Sequence, residues 1–144
     1  MMSLKKNEIY KLYKLMVGSA IKVTDWRLRV NELYVTLNSA LITISAYLLA
    51  ADGNMAIPIV AIFGILLSLI WRNNIIDYRI LSGAKWKVVG EIEEKEFKYE
   101  VFSRERKFYK EKGRLGSTLV EKYIPYWFIS IYVVVIIISI IKVL

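Results

Sequence analysis

Three runs of the chain, residues 33–51, 53–71 and 123–141, contain no charged side chain, and each is about 19 residues long. Nothing else in the sequence constrains the fold as tightly. A helix rises about 1.5 Å per residue, so a run of this length spans the roughly 30 Å hydrocarbon core of a bilayer. The third run contains "FISIYVVVIIISII", whose β-branched residues suit a strand as well as a helix. An open strand in lipid would leave its backbone edges unpaired, whereas a helix satisfies them internally. The sequence therefore predicts an all-α membrane protein with three transmembrane helices.

The remaining segments are strongly charged. Residues 1–32 carry seven lysines and arginines, residues 72–122 carry thirteen, and the "ADGN" link between the first two runs carries none. By the positive-inside rule the N-terminus and residues 72–122 are cytoplasmic, and the C-terminus lies outside. Lys142 is expected to snorkel to the far interface. The expected division is a cytoplasmic N-terminal amphipathic helix over 1–32, a transmembrane hairpin over 33–71, a cytoplasmic helical segment over 72–122, and a third transmembrane helix over 123–144. Charges recur at Glu8, Lys11 and Lys14, so no cleavable signal peptide is expected.

Local signals agree with this frame. In the hairpin, Asp52, Gly53 and Asn54 form a turn signal, and Pro58 falls in the first turn of the second span. Ile9, Leu12, Tyr13, Met16, Val17 and Ala20 recur at helical spacing, suited to a partner helix or a lipid surface. Beyond Arg72 the second span is expected to continue, with Ile76, Ile80, Ala84, Val88 and Ile92 stepping by four. Gly113 and Gly116 mark the loop before the third span. Trp26, Trp71 and Trp127 are expected as interfacial anchors at the cytoplasmic side.

The chain has neither cysteine nor histidine. Disulfides, Cys/His metal sites, His general bases and Cys nucleophiles are thereby excluded. Glu91, Glu93, Glu94 and Glu96 form the only carboxylate cluster, beside lysines, and read as a solvated helix face. No glycine loop has phosphate-binding spacing. The expectation is a non-enzymatic protein with no catalytic residue, no metal and no cofactor. Net charge is +8, but positive-inside topology accounts for the excess and directs it to anionic membrane lipids, so no nucleic-acid partner is expected.

The first run holds an asparagine, in "YVTLNSALITI". Asn31, Asn38, Ser45 and Asp52 lie seven apart and form one polar stripe, while Thr36, Ser39, Thr43 and Ala46 form a second track of small residues. An amide facing lipid lacks partners. Asn38 therefore bonds a neighbouring helix of the same chain, bonds its counterpart in another subunit, or lines an aqueous path. On this basis Asn31, Asn38, Ser45, Thr36 and Ser39 are the candidate oligomer-interface or pore-lining residues, and a homo-oligomer is expected.

"RVNELYVTLNSALI", "WRNNIIDYRILSGAKWKVVGEIE" and "STLVEKYIPYWF" together resemble the RipA-type octameric inner-membrane proteins of bacteria. The likeness covers most of the chain, in the same order. Its motif positions fall on Asn31, Thr36 and Asn38, then Tyr78, Arg79, Leu81, Ala84, Lys85 and Glu93, then Glu121 and Pro125. Ser82 stands where the pattern has asparagine. The resemblance implies a homo-octamer in the bacterial cytoplasmic membrane, with Tyr78, Arg79, Lys85 and Glu93 in cytoplasmic assembly, and implies no reaction. A looser similarity is to SLATT-type membrane effectors, which share the helical hairpin. Two functions follow as expectations: a scaffold or assembly platform with a cytoplasmic helical ring, or a pore or channel gated through the cytoplasmic segment, as in a defence effector.

Overall fold

A computed structural model describes residues 6–51, 55–97, 101–111 and 121–143. The chain forms helix α1 (Lys6–Ala50), helix α2 (Ala56–Ile92), a π-helical turn (Glu93–Phe97), helix α3 (Val101–Glu111) and helix α4 (Ile124–Val143). There is no strand among the described residues. Three helical stretches are long and apolar enough to cross a membrane: Asn7–Ala50, Ala56–Phe97 and Ile124–Lys142. The expected turn at Asp52, Gly53 and Asn54 and the loop glycines Gly113 and Gly116 lie outside the described residues. Pro58 does fall in the first turn of α2, where a missing N–H costs least.

Helix α1 joins the N-terminal segment and the first span without interruption over 45 residues. Likewise α2 runs on past Arg72, through Gly83 and Gly90. A glycine costs about 1 kcal/mol in a helix relative to alanine, too little to stop one that is otherwise well supported.

The chain divides into two compact units, one formed by Met1–Arg27 with Asp77–Gly116 and the other by Leu28–Ile76 with Ser117–Leu144. In the second, apolar unit, Ile57, Ala61, Tyr132 and Val135 form the buried centre, with Leu41, Ile42, Ile65 and Phe128 packed around it. Gly64 permits this packing, because a methyl group at its Cα would overlap three ring carbons of Tyr132. The absent side chain lets the tyrosine ring lie against the α2 backbone. At the end of the unit, Lys142 Nζ donates to the Leu49 carbonyl at 2.6 Å. That carbonyl belongs to the last turn of α1 and has no partner within its own helix, so the ammonium caps it.

In the first, charged unit, Ala20, Val23 and Val89 are buried. Trp86 packs on Phe102 with ring centroids 5.0 Å apart, and Tyr13 meets Phe97 edge-on at 5.2 Å. Of the expected N-terminal face, Ile9, Tyr13, Met16, Val17 and Ala20 are at least partly covered, while Leu12 remains exposed. The step-of-four row on α2 is not the buried one: Ile80 and Val88 are exposed, and Val89 and Glu93 are buried. Four residues advance a helix by one turn plus about 40°, so a strict step of four winds away from any fixed partner within three or four steps.

Candidate functional site

The polar stripe of α1 is held within the apolar unit. Asn38 is fully buried. Its Oδ1 accepts from the Ser68 hydroxyl of α2 at 3.0 Å and from the Tyr132 hydroxyl of α4 at 3.1 Å. Its Nδ2 donates to the Tyr34 carbonyl at 2.9 Å, one turn back on α1. The Tyr132 hydroxyl also reaches the Asn38 carbonyl at 3.1 Å, and the Ser68 hydroxyl reaches the Gly64 carbonyl at 2.9 Å. Each hydroxyl has one proton, so each shares or alternates between its two acceptors. One amide thus ties three helices at a single level.

One stripe position back, seven residues before Asn38, Asn31 makes a second tie. Its Oδ1 accepts the Trp71 indole N–H at 2.9 Å, and its Nδ2 lies 3.4 Å from Glu121 Oε2. Trp71 is buried, stacked on Tyr34 at 5.8 Å and tilted against Phe128 at 5.7 Å. The Tyr34 hydroxyl in turn accepts from Asn74 Nδ2 at 2.9 Å. Trp71, expected as an interfacial anchor, is therefore an internal hydrogen-bonded ring, because Asn31 satisfies its indole N–H inside the chain. Trp26 and Trp127 are exposed. Ser45, also fully buried, donates to the Leu41 carbonyl at 2.8 Å.

The second track occupies the other side of α1. Thr36, Ser39 and Thr43 are exposed. At about 100° per residue, Thr36 and Thr43 fall roughly opposite Asn38 and Ser45, and Ser39 lies about a third of a turn from them. Thr36 and Thr43 donate to carbonyls one turn back, at 2.9 and 3.0 Å, so their outward aspect is mainly methyl. The five candidate positions on α1 thus separate into an inward set (Asn31, Asn38, Ser45) and an outward set (Thr36, Ser39).

In the charged unit, Lys85 Nζ donates to the Ser19 hydroxyl at 2.6 Å. Arg79 is exposed and Tyr78 partly buried. Glu93 is buried: its Oε1 accepts from the Tyr13 hydroxyl at 2.9 Å and its Oε2 from the Phe102 N–H at 3.2 Å. Phe102 is in the first turn of α3, so the carboxylate caps that helix. Burial, with the bond to Glu93 and its charge adding, pushes the Tyr13 hydroxyl pKa up to about 12. Glu93 is therefore not part of the solvated face that Glu91, Glu94 and Glu96 present.

Sequence reasoning missed Tyr13 as the partner of Glu93, and Ser68, Gly64 and Tyr132 as the surroundings of Asn38. A serine four residues after a glycine in an apolar run was a usable signal for Ser68. Tyr132 stands in mid-run, away from the interfaces that aromatic hydroxyls favour, and this was the signal for a buried partner. No group of three or more metal-binding side chains occurs among the described residues. Residues 10–141 match the model of the Octameric membrane protein family (8xMP). No curated protein and no solved structure matches the chain.

Proposed function

The chain belongs to the octameric membrane protein family, and from that premise we propose that it is a non-enzymatic homo-oligomeric scaffold of the bacterial cytoplasmic membrane. In this reading eight copies assemble side by side, with residues 1–32 and 72–122 in the cytoplasm and the C-terminus outside, as the lysine and arginine distribution favours. The charged units then form the assembly platform, with Tyr78 and Arg79 available to neighbouring copies and Lys85 and Glu93 holding each copy together. The outward track of Thr36 and Ser39 is the contact between copies in the membrane.

One observation carries the preference for scaffold over channel. Asn38, the most polar side chain of the first span, is fully buried and bonded to Ser68 and Tyr132 of its own chain. Its amide fixes helix register and leaves no polar surface there for water. None of the three charge-free runs offers a ring of charge for ion selection. The pore reading keeps one point in its favour, the exposed hydroxyl-bearing residues Thr36, Ser39 and Thr43.

Ion flux through liposomes containing the purified protein, with its oligomer mass measured in parallel, separates the two. The scaffold gives an intact oligomer and no flux above empty liposomes, with and without added cell lysate. Flux that changes in Ser39→Leu would place that track on an aqueous path and replace the scaffold with a pore.

A further inference from the structure

The charged unit carries an open cavity of about 270 Å³ lined by Tyr10, Tyr13, Glu93, Phe97 and Val101. Glu93 is only 2% exposed, whereas Tyr10 and Val101 are 57% and 62% exposed. The carboxylate is the floor, and the tyrosine and valine stand at the mouth. Tyr13 and Phe97, meeting at 73°, form two adjoining aromatic walls.

The charge at the floor is incompletely matched. Both bonds to Glu93 come from neutral donors, the Tyr13 hydroxyl and the Phe102 N–H. Each carboxylate oxygen has a second acceptor site. The N-terminus of α3 offers about half an elementary charge in partial compensation. Among the described residues, none that lines the cavity is basic. A buried carboxylate is costly without a cation, and this one faces a space bounded by π-faces.

The backbone here is unusual as well. Glu93 and Phe97 are the first and last residues of the π-helical turn. Such turns are rare, and they recur at functional sites. This one supplies both the carboxylate at the floor of the cavity and an aromatic ring of its wall.

We propose that this cavity binds an organic ammonium cation, with Tyr10, Tyr13 and Phe97 around the head group and Glu93 as its counter-ion. Aromatic faces attract ammonium groups electrostatically, and more strongly where the cation is desolvated. An anion would be repelled by Glu93, and a neutral apolar ligand would cover the carboxylate without compensating it. Calcium takes six to eight oxygen ligands, and the lining supplies one carboxylate. Ligand pockets for drug-sized molecules run from about 300 to 1,000 Å³, so the space suits a small head group. The same chemistry is presented by a free small amine and by the head group of an amine-bearing lipid. The site lies wholly within the charged unit and does not rest on the scaffold reading.

Calorimetric titration of the full-length protein in detergent with choline and with ethanolamine tests the site, with 3,3-dimethyl-1-butanol as the neutral isostere of choline. Saturable binding of either cation is expected, with the isostere at least about tenfold weaker, the ratio that corresponds to one strong cation–π contact. Glu93→Gln retains an oxygen for the Phe102 N–H but loses the charge, and should weaken binding by about tenfold or more with its circular dichroism unchanged. Tyr10→Leu, at the mouth and outside the Glu93 bonds, should weaken choline binding independently of any effect on folding. If the cation enters only as a lipid head group, native mass spectrometry from mixed phosphatidylglycerol–phosphatidylethanolamine nanodiscs will show phosphatidylethanolamine retained by the wild type and lost in Glu93→Gln. The proposal is overturned if neither free cation binds and no such lipid is retained. It is equally overturned if the isostere binds as well as choline, or if Glu93→Gln binds like the wild type.

Discussion

A buried amide in a membrane helix is valuable in proportion to what its partners could do without it. In Asn38→Leu the Ser68 hydroxyl still reaches the Gly64 carbonyl, and the Tyr132 hydroxyl still reaches the main-chain carbonyl of residue 38. Both partners keep an acceptor, so the substitution should destabilise the helical unit by only about 1–2 kcal/mol, in the range measured for interhelical bonds in membranes. Denaturation by sodium dodecyl sulfate from mixed micelles measures this, and a loss well above that range would mean the leucine does not fit. Tyr13 makes a different prediction. Its folded pKa, about 12, lies above its ordinary value of 10.0. A raised pKa means stability that is full below pH 10 and lost as pH climbs from 10 towards 12. Tyr13→Phe should flatten that part of the stability–pH curve relative to wild type. That Asn38 could not face lipid was legible from the chain, because lipid offers an amide no partner, but protein and water both remained open. Which partner it has was not legible, since Ser68 and Tyr132 lie 30 and 94 residues away and no local pattern encodes such a pairing.

Helices show where sequence pattern is a good guide and where it drifts. The three spans were readable from charge alone, and the continuation of α2 beyond Arg72 from its apolar periodicity. The face that α2 buries was harder to read, because a row stepping by four rotates away from its neighbour and the chain buries Val89 and Glu93 instead of Val88 and Ile80. Glycines within one helix divide in the same way by context. At Gly64 an added methyl meets the Tyr132 ring, whereas at Gly83 it meets nothing within 4 Å. Gly83→Ala should therefore raise stability by up to about 1 kcal/mol through helix propensity. Gly64→Ala should lower it by about 1–3 kcal/mol, the usual cost of overpacking, and should disturb the Asn38 tie as well. Thermal melts of both variants in the same detergent check the opposite signs. Two shifts of the same sign would show that propensity, and not packing against α4, governs this helix.

At the scale of the molecule the decisive asymmetry is that α1 has two polar tracks and uses only one of them internally. Asn31, Asn38 and Ser45 bond within the chain, leaving Thr36, Ser39, Ala40 and Thr43 exposed on the outward side. The first span also exposes Leu33, Leu37, Ile44 and Tyr47, but small residues recur beside them. Large apolar residues instead dominate the described outward surfaces of the other spans, including Ile59 and Phe63 on α2 and Ile137 and Ile141 on α4. Bulky side chains suit lipid tails, while small ones gain more from another helix, whose backbone they allow to approach closely. In a family described as octameric, the small side of α1 is thus the better candidate for the contact between copies. The sequence displayed both tracks but not their division, because which one faces inward depends on where Tyr132 and Ser68 sit. Ala40→Phe should reduce the oligomer to smaller species on native mass spectrometry while each copy remains helical. Ile137→Phe, a comparable enlargement on a surface suited to lipid, should leave the mass unchanged. If Ala40→Phe leaves the mass unchanged, the small side of α1 is not the contact; if only Ile137→Phe dissociates the assembly, the copies meet through α4.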